Sequence, residues 1–199
     1  MWIKHIPANR ADGRLKQLYD RVQGPNGEVD NIMKGHSLRP HTMDGHMALY
    51  KNVLHHSGNT VPKWFMECIG VWVSILNRCK YCTEHHFAGM KRLMGDDAKA
   101  KKIRKALEDS SPDKAPLDRM QVAALDYADA LTSGPSFIDP DDIVELRESG
   151  WDDGQILEIN QAAAYFAYAN RTVLGLGVSL DGDVLGMAPS GDDDDWGHR

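Results

Sequence analysis

Cys79 and Cys82 stand three residues apart, and His86 follows four residues after the second thiol. On an α-helix the offsets i, i+3 and i+7 put all three side chains on one face. Helical residues three apart have Cα atoms ~5 Å from each other, inside the roughly 4.4–6.8 Å span that a disulfide needs. Asn77-Arg78 sits just ahead, so Cys79 is expected at the first turn of its helix. Unpaired backbone N–H groups and the helix dipole there favour a thiolate, and a nearby imidazole favours it further. A pair that is both reactive and able to close on itself is what a two-cysteine redox cycle requires.

Glu67 is the only charged residue between Trp64 and Leu76. Burying such a carboxylate unpaired costs several kcal/mol, so it must find a partner or take up a proton. If the segments before and after Asn77 are antiparallel helices, Glu67 comes within direct or water-mediated reach of His86. It would then orient and charge the imidazole, which exchanges a proton with Cys82 or with a leaving oxygen.

Helical punctuation dominates the elements that must position these groups, and strand-like alternation is scarce. An amphipathic helix is expected over Ala11 to Val22, with Leu15, Leu18, Tyr19 and Val22 on its buried face. A short helix around Asp30 to Gly35 and a longer one from Pro40 to His56 follow, the latter with Met43, Met47, Leu49, Tyr50 and Leu54 along one side. Val61-Pro62 opens the next helix with Thr60 as N-cap, and its apolar run to Leu76 predicts burial on nearly all sides. The cysteine helix runs from about Cys79 to Leu93 with Gly95 as its stop. Further helices are expected over Asp96–Glu108, Pro116–Leu131, Pro140–Glu148 and Gln155–Leu174.

A length of 199 residues suits one domain with a single core. We expect residues 1–185 to form it and residues 186–199, with the run Asp192 to Asp195, to be a polar acidic tail. A net charge of −6, from 23 basic and 29 acidic residues, gives no general drive toward nucleic acid or anionic lipid. No apolar stretch approaches the ~20 residues of a membrane helix. The first ten residues do not read as a secretory signal, so a cytoplasmic location is expected. Three clustered cysteines make a poor disulfide framework and point to catalysis or metal binding.

A glutamate twelve positions before Cys-x-x-Cys-x-x-x-His resembles the alkyl hydroperoxidase D (AhpD) and carboxymuconolactone decarboxylase-like family, in its peroxidase-related branch. The likeness extends from His36-Ser37-Leu38-Arg39-Pro40 through Asn77–Met90 to Asn170-Arg171. It implies an all-α fold with an antiparallel helical hairpin at the site, homo-oligomerisation, and peroxide reduction without a bound cofactor. By the same analogy Cys82 attacks the peroxide, Cys79 resolves the sulfenic acid as a disulfide, and Glu67 and His86 relay protons. An external dithiol of lipoyl or thioredoxin type would recycle the pair. One departure is Tyr81, which stands where peroxidases of the family often carry a second histidine between the cysteines. A phenol is a poor proton shuttle near neutral pH.

Other readings stand beside this one. Three ligands on one helix, completed by Glu67, His55 or His56, would make a metal-holding scaffold. A carboxymuconolactone-type decarboxylase fits the family but generally lacks the cysteine pair. A thioredoxin fold is disfavoured, since its Cys-x-x-Cys follows a strand. Cys68, Met43, Met47 and Met66 read as core, His55-His56 as a helix end, and His85 as a supporting or surface residue. Lys99, Lys101, Lys102, Arg104 and Lys105 read as a solvated helix face. Glu158 and Arg171, the only charges from Ile156 to Leu180, read as a buried ion pair.

Overall fold

The computed structural model of the chain describes residues 1–189 and residue 197; the aspartate run lies outside the described residues. The protein is all-helical, as expected, with nine α-helices among the described residues. They are α1 (Gly13–Val22), α2 (Asn31–Gly35), α3 (Pro40–Tyr50), α4 (Lys63–Leu76), α5 (Lys80–Met94), α6 (Asp97–Glu108), α7 (Arg119–Ser133), α8 (Pro140–Ser149) and α9 (Asp153–Leu176). No helix among them is long and apolar enough to cross a membrane.

The apolar run predicted to be buried all round is the centre of the molecule. Every residue of α4 from Phe65 to Ser74 is buried, and α4 packs against α5, α7 and α9. Gly70 lets α9 come close: a Cβ there would lie 2.1 Å from the Phe166 ring. The α1 face of Leu15, Leu18, Tyr19 and Val22 is buried, as its spacing predicts.

The turn from α4 to α5 is a Schellman stop, with Cys79 N–H bonded to Ser74 O and Arg78 N–H to Ile75 O. Arg78 occupies the left-handed position at φ 57°, which glycine usually fills. The tight turn makes Cys79 the N-cap of α5 and runs the two helices antiparallel. Gly95, at φ 68°, ends α5.

Several boundaries differ from expectation. The helix from Pro40 stops as α-helix at Tyr50 and continues as a π-helical turn over Lys51–His55, which shifts the buried face; Leu49 is exposed while Leu54 is buried. Thr60 does not cap α4, whose N-cap is Pro62. Its N–H and hydroxyl, with Val61 N–H, donate instead to the Glu158 carboxylate. Glu158 is therefore not paired with Arg171, which is exposed and donates to Ala167 O. Helix α7 starts at Arg119, beyond Pro116, because Asp118 and Gln121 form a capping box there.

On α6, Arg104 binds Glu84 and Glu108, and Lys105 binds Asp109. The chain after α9 does not leave as a solvated tail at Gly186. Gly186, Ala188 and Pro189 are buried, and Gly186 lies against Ala88 and Gly89 in the middle of α5.

Gly70→Ala should lower stability by about 1–3 kcal/mol through overpacking against Phe166. The urea midpoint should fall with an unchanged m-value; an unchanged midpoint would count against this close α4–α9 approach.

Candidate active site

Glu67, on α4, is 2 % exposed, and its Oε2 lies 2.6 Å from His86 Nδ1 on α5. The antiparallel hairpin thus brings the two residues into direct contact. A carboxylate only accepts, so Nδ1–H is the donor and Nε2 is left to exchange protons. Gly89 makes room for the carboxylate, since a Cβ there would sit 3.2 Å from Glu67 Cδ. Phe166 meets the imidazole nearly perpendicular at 4.5 Å. Burial pushes the Glu67 carboxyl up, but His86, then His55 and Arg92, outweigh it and hold the group below its usual range.

His55 is the residue that the sequence reading misplaced. It lies in the π-helical turn, 3 % exposed, with Nε2 3.6 Å from Glu67 Oε1. Two imidazoles therefore flank one carboxylate. The departure from α-helical phase after Tyr50 hides this from any 3.6-residue pattern.

The thiols of Cys79 and Cys82 are buried, and their sulfurs lie 2.9 Å apart, where either can donate to the other. Contact with Cys82 lowers Cys79, burial opposes this, and the Cys82 backbone N–H lowers it further. The same thiol contact raises Cys82, burial adds to the rise, and the Asn170 side chain opposes it. Of the two thiols, Cys79, the residue at the helix N-cap, is therefore the one favoured to ionise first. Asn170, fully buried on α9, is held by Asn77 and Ser74. Its partners come from α4 and the turn, so its role is not readable from local spacing. Cys68, buried on α4 without such partners, is pushed up to about 12 and belongs to the core as expected.

Cys82 and His86 open onto a small, partly open cavity of about 40 Å³ that Glu67 also lines; Cys79 does not. Aromatic rings wall one side, with Tyr50 and Tyr165 stacked at 5.6 Å and His46 at 5.9 Å from Tyr165. His85 is not on the surface: it is buried, lines the cavity, and its Nε2 lies 3.4 Å from Asp183. Tyr81 lines the cavity too and donates its hydroxyl to Asp183 at 2.6 Å, so the hydroxyl of the residue at the second-histidine position is engaged there. Asp183 is distant in sequence and in an irregular segment, with no motif to announce it. Among the described residues, no three His, Cys, Asp or Glu side chains are grouped as a metal ion's ligands would be.

No protein-family description and no curated protein matches the chain. Solved structures do. An uncharacterized peroxidase-related protein from Silicibacter sp. TM1040 is 28% identical, with 77% of each chain covered and a TM-score of 0.67. An uncharacterized peroxidase-related protein from Ralstonia eutropha JMP134, described as an alkylhydroperoxidase AhpD core, is 23% identical over 83% of this chain and 82% of its own, with a TM-score of 0.70. The debrominase Bmp8 is 18% identical over 85% and 83%, with a TM-score of 0.65. A variant of it is known in complex with 2,3,4-tribromopyrrole. The fold is AhpD-like, and these neighbours support the family that the motif suggested.

Glu67 is held ionised, so its stabilising contribution is complete above its ordinary value of 4.5 and is lost as pH falls through its lower folded value. Glu67→Gln should be less stable by about 1–3 kcal/mol at neutral pH, because His86 Nδ1–H loses its buried carboxylate acceptor. Urea midpoints measured from pH 7 downward should show the two proteins converging in acid. Parallel curves would contradict the buried ion pair.

Proposed function

We propose that this chain, with its AhpD-like fold, is a thiol-dependent peroxidase that reduces a hydroperoxide through Cys82 and Cys79. The observation that carries the reading is the two sulfurs 2.9 Å apart, beside an imidazole bonded at 2.6 Å to a buried carboxylate. Cys82 is the attacking residue because its side chain, not that of Cys79, lines the cavity.

The chemistry balances with the groups present. Cys82 sulfur attacks the terminal oxygen of the hydroperoxide, its proton passes to the Cys79 thiolate, and the O–O bond breaks. The departing alkoxide takes a proton from the His86 imidazolium, leaving Cys82 as a sulfenic acid. Cys79 sulfur then attacks Cys82 sulfur; the S–S bond forms, the S–O bond breaks, and hydroxide leaves as water with the Cys79 proton. Two electrons have passed from the thiols to the peroxide. An external dithiol of lipoyl or thioredoxin type returns them by exchange, which needs no bound cofactor and suits a reducing cytoplasm. Glu67 fixes the His86 tautomer and stabilises its charged form. Asn170 supports negative charge on Cys82 during the proton shift. A homo-oligomer belongs to the same reading, and exposed Leu157 and Tyr168, on one side of α9, offer it apolar contacts.

Bmp8 has a similar fold, so a halogenated aromatic is the rival oxidant. The cavity of about 40 Å³ favours the smaller peroxide.

One equivalent of hydrogen peroxide should convert the free thiols to a Cys79–Cys82 disulfide, read by mass spectrometry. Cys82→Ser should abolish peroxide consumption, and Cys79→Ser should stop after one sulfenic acid per chain. His86→Ala should slow the first step by about 10²–10⁴-fold. Persistent free thiols, or unchanged turnover in Cys82→Ser, would overturn the reading.

A further inference from the structure

The segment after α9 returns to the cavity and is clasped beside it by Asp183. The Asp183 carboxylate, wholly buried, accepts from Asn31 N–H at 3.0 Å and from the Tyr81 hydroxyl at 2.6 Å, and it faces His85 Nε2 at 3.4 Å. Asn31 answers by donating its side-chain amide to Ser179 O and Asp181 O. Three residues beyond Asp183, Gly186 lies flat on α5. A Cβ there would stand 2.9 Å from Ala88 C and 3.0 Å from Gly89 N, both backbone atoms. Just beyond these two anchors, Met187 joins Cys82 and His86 in the lining of the cavity. The far end of Met187 is packed as well, since a Cβ on Gly24 would sit 2.9 Å from its methyl carbon.

The narrowness of this space sets what can reach Cys82. Only about 40 Å³ of it admits the centre of a water-sized molecule, which suits hydrogen peroxide or the smallest alkyl hydroperoxides. A phenyl-bearing or long-chain hydroperoxide would have to displace part of the wall. We propose that Met187, held in place by the Asp183 clasp, is the specificity-determining residue that restricts the oxidant to hydrogen peroxide and its smallest alkyl homologues. The chemistry acted on rests on the peroxidase reading; the size limit rests on the enclosure alone.

The test compares wild type with Met187→Ala and, as a second way to open the roof, Asp183→Ala, in the full-length protein. The ratio of kcat/KM for cumene hydroperoxide to that for hydrogen peroxide should be low in wild type. It should rise by about tenfold or more in Met187→Ala, which removes a thioether from the wall. Asp183→Ala should move the ratio in the same direction. A wild-type ratio near one, or a ratio unchanged by Met187→Ala, overturns the proposal. If wild type reduces neither peroxide, the functional reading falls by itself, and alkylation of Cys82 still decides the size limit. The rate with N-phenylmaleimide relative to iodoacetamide, read by mass spectrometry at Cys82, should rise about tenfold in Met187→Ala. An equal ratio in the two proteins overturns the roof.

Discussion

A carboxylate buried in the most apolar helix of the chain is the constraint on which the arrangement depends. Taking Glu67 out of water costs several kcal/mol, and a buried ion pair rarely does better than an apolar replacement of the same shape. The cost is offset only if a cation meets it at the right depth. That requirement fixes the register of the α4–α5 hairpin, for His86 must stand opposite Glu67 at 2.6 Å. It explains the absence of a side chain at Gly89, where the carboxylate lies. It also accounts for the position of His55, brought within 3.6 Å of the second oxygen by a turn wound more loosely than the helix before it. Gly70 enters the same chain of contacts. By admitting Phe166, it brings an aromatic edge against the imidazole that Glu67 holds.

The hairpin's turn does a different job for the thiols. Its Schellman geometry leaves Cys79 as the capping residue and Cys82 in the first turn, where backbone N–H groups are directed at the sulfurs. The result is a division between the two cysteines. Cys79 is the thiol favoured to lose its proton but has no access to the cavity; Cys82 faces the cavity but is disfavoured from losing its own proton. A short shift of that proton between sulfurs exchanges their states. The pair can therefore rest in its stable protonation and react in the other, with Asn170 reducing the difference.

Much of this was readable from sequence because it obeys helical periodicity. The spacing of Cys79, Cys82 and His86 and the lone Glu67 in an apolar run specify a face, a partner and a depth. The buried faces of α1 and α4 were legible for the same reason. What escaped lies where periodicity fails. His55 sits in a π-helical turn, Asp183 and Met187 in irregular chain, and Asn170 a hundred residues from its partners in a helix whose pattern shows only burial. Thr60 was a credible cap whose donors went instead to Glu158, a tertiary contact that local capping rules cannot anticipate. Tyr81 was recognised as a departure, but its engagement with Asp183 needed the fold.

Cys68 makes the final point by contrast. It neighbours Glu67 in sequence and is as buried as Cys79, yet burial alone drives it to about 12 and leaves it inert. Cys79, equally shut off from bulk water, moves the opposite way. Burial is therefore not what activates a thiol here; it is the background against which each donor counts for more, because water is not present to compete. A second thiol and a backbone N–H are enough to reverse the sign for Cys79, and one amide partly offsets the rise at Cys82. The same dryness lets a single carboxylate organise two imidazoles. A site of this kind needs few polar groups, provided that the fold keeps the solvent out and every donor has an assigned acceptor.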